Sequence, residues 1–187
     1  MRVITGCAKG RRLKAPKGMT TRPTTDRVKE ALFSILGGFP CDAMVLDLFA
    51  GSGALGIEAL SRDAAFAVFI DKSLESYQVI KENLRITGLS DRAEVYRNDM
   101  SKALELLNKQ GKVFSLIFSD PPYMQGLAEK SLMKVHELKL VAPGGIMLVE
   151  HSRRESLDDA IGDFILSRRQ QYGDTLISIY TYHGGEN

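Results

Sequence analysis

The chain has 187 residues, of which 44% are hydrophobic, which is enough for one well-buried core and too few for two independent ones. No stretch approaches the roughly 18 apolar residues of a membrane span, and the amino terminus lacks an apolar signal segment, so we expect a cytoplasmic monomer that does not bind membranes. Cys7 and Cys41 are too few for a disulfide framework and lack metal-ligand spacing, so no metal site is predicted.

The basic residues are concentrated at the amino terminus. Residues 1–29 contain nine Lys or Arg and a single acid, Asp26, a net charge of +8 that leaves −6 for the rest of a chain whose total is +2. A basic segment on an acidic body is typical of proteins that bind polyanions, and a merely solvated basic arm is the alternative. We predict contacts with nucleic acid at six residues: Arg2, Lys9, Arg11, Arg12, Lys14 and Arg22.

The first elements predicted along the chain are a hairpin and a helix. The segments "MRVITG" and "RRLKAP" are short and extended about a glycine-containing turn, which predicts a basic hairpin. We assign residues 1–24 to this amino-terminal extension and residues 25–187 to the main domain. Apolar residues then recur at helical spacing, so an amphipathic helix should begin at Asp26, with Asp26 or Thr25 as its cap.

The middle of the chain alternates apolar runs with segments of helical length and period. The runs lie at 44–49, 66–70, 93–97, 113–119 and 145–150. Such a βα repeat predicts an α/β, Rossmann-like fold with a parallel sheet covered by helices on both faces. The tail differs, because two β-rich segments joined by a short turn at Gly173 and Asp174 predict an antiparallel pair of closing strands.

A glycine loop, "AGSGALG", follows the first predicted strand. Glycines let the backbone turn tightly and approach a ligand, and the N-terminus of the next helix offers N–H groups. Residues 51–56 match the dinucleotide fingerprint G-x-G-x-x-G, and Asp71 lies 20 residues after Gly51, where a ribose-binding acid belongs. A nicotinamide oxidoreductase and a purely structural turn are therefore alternatives to be weighed.

Two features favour S-adenosylmethionine over a nicotinamide cofactor. Asp47 lies four residues before Gly51, which is awkward beside a pyrophosphate but suitable beside a cation, and the later motif "DPPY" has no evident use in a dehydrogenase. S-adenosylmethionine carries an ammonium and a sulfonium, has ribose hydroxyls for Asp71 and has no phosphate. Asp99, after the third strand, is placed to accept from an adenine amine with Met100 beside the ring; Asp99 can also cap the next helix.

The segment "SDPPY", residues 119–123, ends the fourth predicted strand, at the edge where open α/β sheets bind ligands. Pro121 and Pro122 fix the backbone and have no N–H, so this stretch offers acceptors only, beside the flat ring of Tyr123. A nucleobase amine suits this set of acceptors, because Asp120 and the Pro121 carbonyl would accept its hydrogens and Tyr123 would stack on the base. The lone pair of the amine would then be free to attack a sulfonium methyl group in line. A proline-rich turn without function is the alternative.

In this order, the glycine loop, the acid at Asp71 and "DPPY" resemble class I S-adenosylmethionine-dependent methyltransferases that modify exocyclic amines. The upstream string "RPTTDRVKEALFSIL", the basic hairpin and the length are similar to the bacterial family that methylates guanine N2 in 16S ribosomal RNA. The resemblance implies a seven-stranded, mostly parallel sheet whose last strand is antiparallel, a ribosomal RNA or small-subunit substrate, S-adenosylhomocysteine as product, and no metal.

The resemblance also implies roles for individual residues. The methionine end of the cofactor would lie near Asp47, Phe49, Gly51 and Gly53, the ribose at Asp71 and the adenine at Asp99 and Met100. Arg22, Pro23 and Thr24 would border the cofactor or the target base, with Thr24 counted among the cofactor contacts. The catalytic residues would be Asp120, Pro121, Pro122 and Tyr123.

Two further alternatives share the same motifs. A DNA adenine or cytosine methyltransferase would use the same "DPPY" chemistry, but we expect it to need a separate target-recognition region for which 187 residues leave little room. A non-catalytic RNA-binding module on the same fold would bind RNA without turnover.

Overall fold

The five apolar runs and the two β-rich tail segments predicted as strands all form strands. The computed structural model describes residues 1–16, 26–37 and 42–185, which fall into two compact units, Met1–Asn98 and Asp99–Asn187. An eighth strand of two residues, Ala160–Ile161, corrects the predicted count of seven, since a two-residue strand carries no apolar periodicity to detect. No helix in the described ranges is long and apolar enough to cross a membrane.

The first unit contains three parallel strands in the order β3-β2-β1. The residues of β1 and β2 are almost all apolar and buried, as expected for parallel strands covered on both faces. The elements are α1 (Asp26–Leu36), β1 (Met44–Asp47), α2 (Ala54–Ser61), β2 (Phe66–Asp71), α3 (Leu74–Thr87), a 3₁₀ helix (Ser90–Arg92) and β3 (Ala93–Arg97). Every residue of α2 is buried, so this helix belongs to the core of the unit.

The second unit contains five strands in the order β4-β5-β8-β7-β6. Its elements are α4 (Met100–Lys109), β4 (Phe114–Ser119), α5 (Leu127–Glu137), β5 (Val141–Ser152), β6 (Ala160–Ile161), β7 (Phe164–Tyr172) and β8 (Thr175–Tyr182). Strands β4 and β5 are parallel, whereas β8 lies between β5 and β7 and is antiparallel to both. The predicted antiparallel last strand is therefore confirmed.

Strand β5 begins earlier than predicted. Its pairing with β4 shifts register between Phe114 and Leu116, whose partners are Val141 and Ile146. The intervening residues contain a proline and two glycines, which normally indicate a loop. Here they form a bulge within the strand, because the apolar residues on either side of it still pair with β4.

The amino-terminal segment forms the predicted hairpin with a single antiparallel bridge, between Arg2 and Arg12. Two backbone hydrogen bonds flank the bridge, from the Val3 N–H to the Arg11 carbonyl (3.0 Å) and from the Leu13 N–H to the Met1 carbonyl (3.1 Å). Val3 and Leu13 are buried, so the hairpin packs through its apolar side chains while its charged side chains stay outside. The proposed boundary between residues 24 and 25 stays a prediction.

A buried ion pair anchors this hairpin to the rest of its unit. The carboxylate of Glu58, in α2, accepts from the N–H groups of Ile4 (2.8 Å) and Thr5 (3.0 Å) and lies 3.1 Å from Lys29 Nζ and 2.9 Å from Arg62 Nε. The side chains of Glu58 and Lys29 have no exposed surface. Four donors satisfy the buried carboxylate, which is the condition under which a buried charge is tolerated.

Lys29 therefore does not belong to the basic surface, although the sequence analysis counted it among the nine basic residues of the amino terminus. Its ammonium group contacts Glu58 and donates to the Arg2 carbonyl. A lysine on a helix that follows a basic segment looks like one more surface charge, and only its burial against α2 shows that it holds the hairpin in place.

Candidate active site

The glycine loop leaves β1 and enters α2. Gly51 and Gly53 have φ angles of 56° and 76°, in the left-handed region that favours glycine. Gly56 lies under the ring of Phe69, and a Cβ atom at this position would come within 2.3 Å of a ring carbon. Gly51 and Gly53 thus serve the backbone conformation of the loop, and Gly56 serves the close helix–strand packing that the motif assigns to its third glycine.

Asp71, at the end of β2, holds the glycine loop in place. Its Oδ2 accepts from the Gly51 N–H at 2.9 Å, and its Oδ1 accepts from the N–H of Ser73, the cap of α3, at 2.8 Å. A carboxylate has about four acceptor positions, so these two bonds leave acceptors for ligand hydroxyls. No pattern in the sequence indicates this role in holding the loop, and the ribose contact stays a prediction.

Asp47 ends β1 and is buried, with only 3% of its surface exposed. Its Oδ2 accepts from the Gly56 N–H, in the first turn of α2, at 3.1 Å. Burial raises the pKa of Asp47 to about 7; the hydrogen bond from Gly56 lowers the pKa and the nearby charge of Asp71 raises it. A cation beside this carboxyl would favour its ionised form, whereas an anion would favour its protonated form.

The other predicted cofactor residues have less distinctive surroundings. Phe49 is half-buried in the turn that follows β1, and Met100 is buried in the first turn of α4. Asp99 is exposed and caps α4 by accepting from the Ser101 N–H at 3.0 Å, so the capping role is confirmed while the adenine contact stays a prediction. Thr24 lies outside the described residues, as does Pro23.

The "DPPY" segment follows β4 in the second unit. Asp120 is half-buried and Pro121 is buried, whereas Pro122 and Tyr123 are exposed. The two prolines leave the segment without N–H donors at consecutive positions, so its main chain presents acceptors only there. Tyr123 is 40% exposed as a residue, so part of its surface is open to a ligand.

Two residues that the sequence analysis missed fix the orientation of the Tyr123 ring. Its hydroxyl donates to Glu150 Oε1, on β5, at 2.9 Å and shares a hydrogen bond of 2.8 Å with Thr175 Oγ1, on β8. Burial raises the pKa of Tyr123 above its ordinary value, and it likewise raises the pKa of the Glu150 carboxyl. The phenol therefore stays protonated and works as an anchor for the ring rather than as a base.

The predicted RNA contacts divide into exposed unpaired residues and ion-paired residues. In the part of the chain that the structure describes, three are exposed and have no acidic partner: Lys9, Arg11 and Arg12. Arg2 pairs with Asp26 at 3.1 Å, and Lys14 pairs with Glu82 at 3.2 Å. Arg22 lies outside the described residues.

The two units contain the features of one protein class. A class I methyltransferase is defined by parallel strands with three features at their ends. These are a glycine loop after β1, an acid at the end of β2 and, after β4, a loop whose prolines offer acceptors only. A Salinibacter ruber RNA methyltransferase, solved with S-adenosyl-L-homocysteine, shares this fold at 14% identity with a TM-score of 0.64, over 89% of this chain and 97% of that one. The profile of the family described as "Conserved hypothetical protein 95" matches residues 1–181, and the chain belongs to that family.

Relatives and solved structures agree with this family. Bacillus subtilis YlbH, provisionally named an rRNA methyltransferase, is 42% identical over 184 residues, which are 98% of this chain and 100% of YlbH. Ribosomal RNA small subunit methyltransferase D of Escherichia coli K12 is 35% identical over 96% of this chain and 89% of its own. The structure of E. coli yhhF, provisionally named a methyltransferase, has a TM-score of 0.87 at 34% identity, over 99% of each chain. The resemblance inferred from the motifs is confirmed.

Proposed function

We propose that the protein transfers a methyl group from S-adenosylmethionine to the exocyclic N2 amine of a guanine in 16S ribosomal RNA, within the small subunit or an assembly intermediate. The "DPPY" segment carries this proposal: its main chain offers acceptors only at Pro121 and Pro122, and the ring of Tyr123 is anchored on two strands. The 35% identity to a ribosomal RNA small subunit methyltransferase supports the substrate class. We further propose that it acts as a monomer in the cytoplasm.

The chemistry of the segment suits an amine with two hydrogens. Asp120 and the Pro121 carbonyl would accept those hydrogens, and Tyr123 would stack on the base. An aromatic amine is a poor nucleophile because its lone pair is delocalised into the ring. Two acceptors would favour a pyramidal nitrogen whose lone pair forms the new N–C bond as the S–C bond of the sulfonium methyl breaks. The electron pair of that bond would stay on sulfur in S-adenosylhomocysteine, and the surplus proton on nitrogen would pass to Asp120 or to water.

The residues of the first unit fit the cofactor. S-adenosylmethionine supplies an electrophilic methyl group, and it carries positive charge and ribose hydroxyls. Asp47 offers a buried carboxyl whose ionised form a cation would stabilise, and Asp71 keeps acceptors beyond its two backbone bonds. Among the described residues, no group of three or more His, Cys, Asp or Glu side chains is arranged to hold a metal ion.

The pH dependence of cofactor binding tests the role of Asp47. Because its pKa is about 7 without ligand, a cationic ligand must displace its proton at lower pH. We expect S-adenosylhomocysteine to bind roughly five- to tenfold more tightly at pH 7.5 than at pH 6, with proton release near pH 7. Titration calorimetry in two buffers of different ionisation enthalpy measures both quantities.

Asp47→Asn is the matched control, since its amide oxygen can still accept from Gly56 while the titrating group is gone. Its affinity should be lower and independent of pH. Binding of S-adenosylhomocysteine to the wild-type protein that weakens as pH rises would contradict the proposal.

Salt dependence tests the amino-terminal contacts. Replacing Lys9, Arg11 and Arg12 by alanine should weaken RNA binding and reduce the slope of log K against log salt by about 0.7 to 0.9 for each lost phosphate contact. These side chains are exposed and have no acidic partner in the described ranges, so the fold does not depend on them. Fluorescence anisotropy with labelled 16S fragments measures the slope.

A control variant removes the same charge elsewhere, by alanine at the exposed Lys102, Lys109 and Lys130. It should bind with nearly the wild-type slope. Equal slopes for the two triple variants would show that the amino-terminal residues act only through net charge.

A further inference from the structure

Met124, directly after the "DPPY" segment, is held in an unfavourable conformation. Its φ angle is 61°, in the left-handed region that few residues other than glycine adopt, and the residue is 64% exposed. Core packing does not explain it, because an exposed apolar side chain contributes little to folding. Backbone strain of this kind persists only where the surroundings enforce it, and it is frequent at binding sites.

Glu155 enforces this conformation. Its Oε1 accepts from the Met124 N–H at 2.9 Å, and its Oε2 accepts from the Ser152 N–H at 3.2 Å. One carboxylate therefore ties the end of the "DPPY" segment to the end of β5. Met124 is thus tied through its backbone, directly after Tyr123, while the residue itself is largely exposed.

A cavity of about 230 Å³ opens beside Met124. Its apolar lining consists of Met124, Gly126, Ala128 and Leu157, and its polar lining consists of Glu129, Glu155 and Ser156. Ala128 and Leu157 are buried, so they form the floor, whereas Glu129 and Ser156 are exposed at the rim. The volume is below the 300 to 1,000 Å³ of sites for drug-sized ligands, and suits a single flat ring system.

The wall of the cavity at residues 155–157 is rigid. The Glu155 carbonyl lies 3.1 Å from His151 Nδ1, and the Leu157 carbonyl accepts from Arg169 Nη2 at 2.8 Å. Because a carbonyl can only accept, His151 carries its proton on Nδ1, and its Nε2 accepts from the Ser178 hydroxyl at 2.9 Å. Burial lowers the pKa of His151, which keeps the ring neutral. The cavity is therefore formed before any ligand arrives.

Charge decides which part of a nucleotide the cavity suits. Glu129 and Glu155 would repel a phosphate, whereas their oxygens can accept from the N–H groups at the edge of a base. The thioether of Met124 packs favourably against aromatic rings. We propose that this cavity binds the base of a nucleotide adjacent to the methylated guanine, an inference that rests on the proposed function.

Two variants and a control test the proposal. Met124→Gly removes the side chain and relieves the backbone strain, so its Tm should be no lower than that of the wild type. Ser156→Trp fills the cavity from its exposed rim. Ile165→Trp, the control, makes a similar apolar addition at an exposed position on β7, outside the cavity lining. We expect the first two variants to raise the KM for unmethylated small subunits about tenfold, with kcat and affinity for S-adenosylhomocysteine within twofold of wild type, and the control to change nothing.

RNA that lacks a single base shows directly whether the cavity holds a neighbouring nucleotide. Two RNAs are compared, one without the base on the 5′ side of the methylated guanine and one without the base on the 3′ side. We expect one of the two to bind the wild type more weakly than intact RNA does. The same RNA should bind Ser156→Trp no more weakly than intact RNA binds that variant. Equal losses in both proteins would overturn the proposal, as would an unchanged KM in Met124→Gly and Ser156→Trp. An effect confined to assembled subunits would assign the cavity to a ribosomal protein instead.

Binding measured by anisotropy needs no turnover, so the inference and the proposed function can fail separately. If the wild-type protein bound RNA but methylated no guanine, the proposed function would be wrong. The comparison of abasic RNAs would still decide what the cavity binds.

Discussion

Asp120→Ala should reduce kcat for methylation of small subunits by at least about 100-fold, while the affinity for S-adenosylhomocysteine stays within twofold. The loss follows because one of the two acceptors that make the amine nucleophilic disappears, and removing one preorganised electrostatic group from an active site commonly reduces kcat about 10²- to 10³-fold. Single-turnover methylation with labelled S-adenosylmethionine, followed by digestion to nucleosides, measures the rate and identifies the product as N2-methylguanosine.

Two comparisons refine this prediction. Asp120→Asn keeps an acceptor oxygen without the charge, so its rate should lie between those of the wild type and Asp120→Ala. Asp91→Ala, at an exposed acid of the 3₁₀ helix, should leave the rate unchanged. If Asp120→Ala turned over at the wild-type rate, Asp120 would have no part in the chemistry. In a parallel assay with duplex DNA as substrate, label found only in DNA bases would favour the DNA methyltransferase alternative.

Glu58→Ala should lower the free energy of unfolding by about 3 to 5 kcal/mol, because it leaves the buried Lys29 charge without its partner. The N–H groups of Ile4 and Thr5 would lose their acceptor as well. A loss of this size is a large fraction of the stability of an ordinary domain. Urea unfolding followed by circular dichroism measures it.

The same variant links the fold to RNA binding. With Glu58 gone, the amino-terminal hairpin loses one of its buried polar anchors, so RNA affinity should fall even though no basic side chain that faces solvent has been removed. Glu105→Ala is the control for stability, because Glu105 is half exposed and lies 3.8 Å from Lys134. Exposed ion pairs contribute about 0 to 1 kcal/mol to the free energy of unfolding. If Glu58→Ala lowered the free energy of unfolding only as much as the control does, water would have to replace the carboxylate as acceptor for the four donors.

Local sequence patterns determined most of the secondary structure. Apolar runs mark β1, β2 and β4, because burial on both faces leaves little room for polar residues in these strands. The tight turn at Gly51 and Gly53 could be predicted, because glycine adopts such left-handed backbone angles without strain. Local rules failed at β5, where a proline and two glycines form a bulge, and at β6, which is too short to show a pattern.

The side-chain partners within each unit were decided by the tertiary structure. Glu58 meets Ile4 across 54 positions, and Tyr123 meets Thr175 across 52. No local pattern encodes such pairs, because the loop closures that create them depend on the whole fold. Residue types and motifs thus determined the class of protein and the chemistry of its loops. Only packing decided that Lys29 is an anchor rather than a surface charge, and that Met124 borders a cavity.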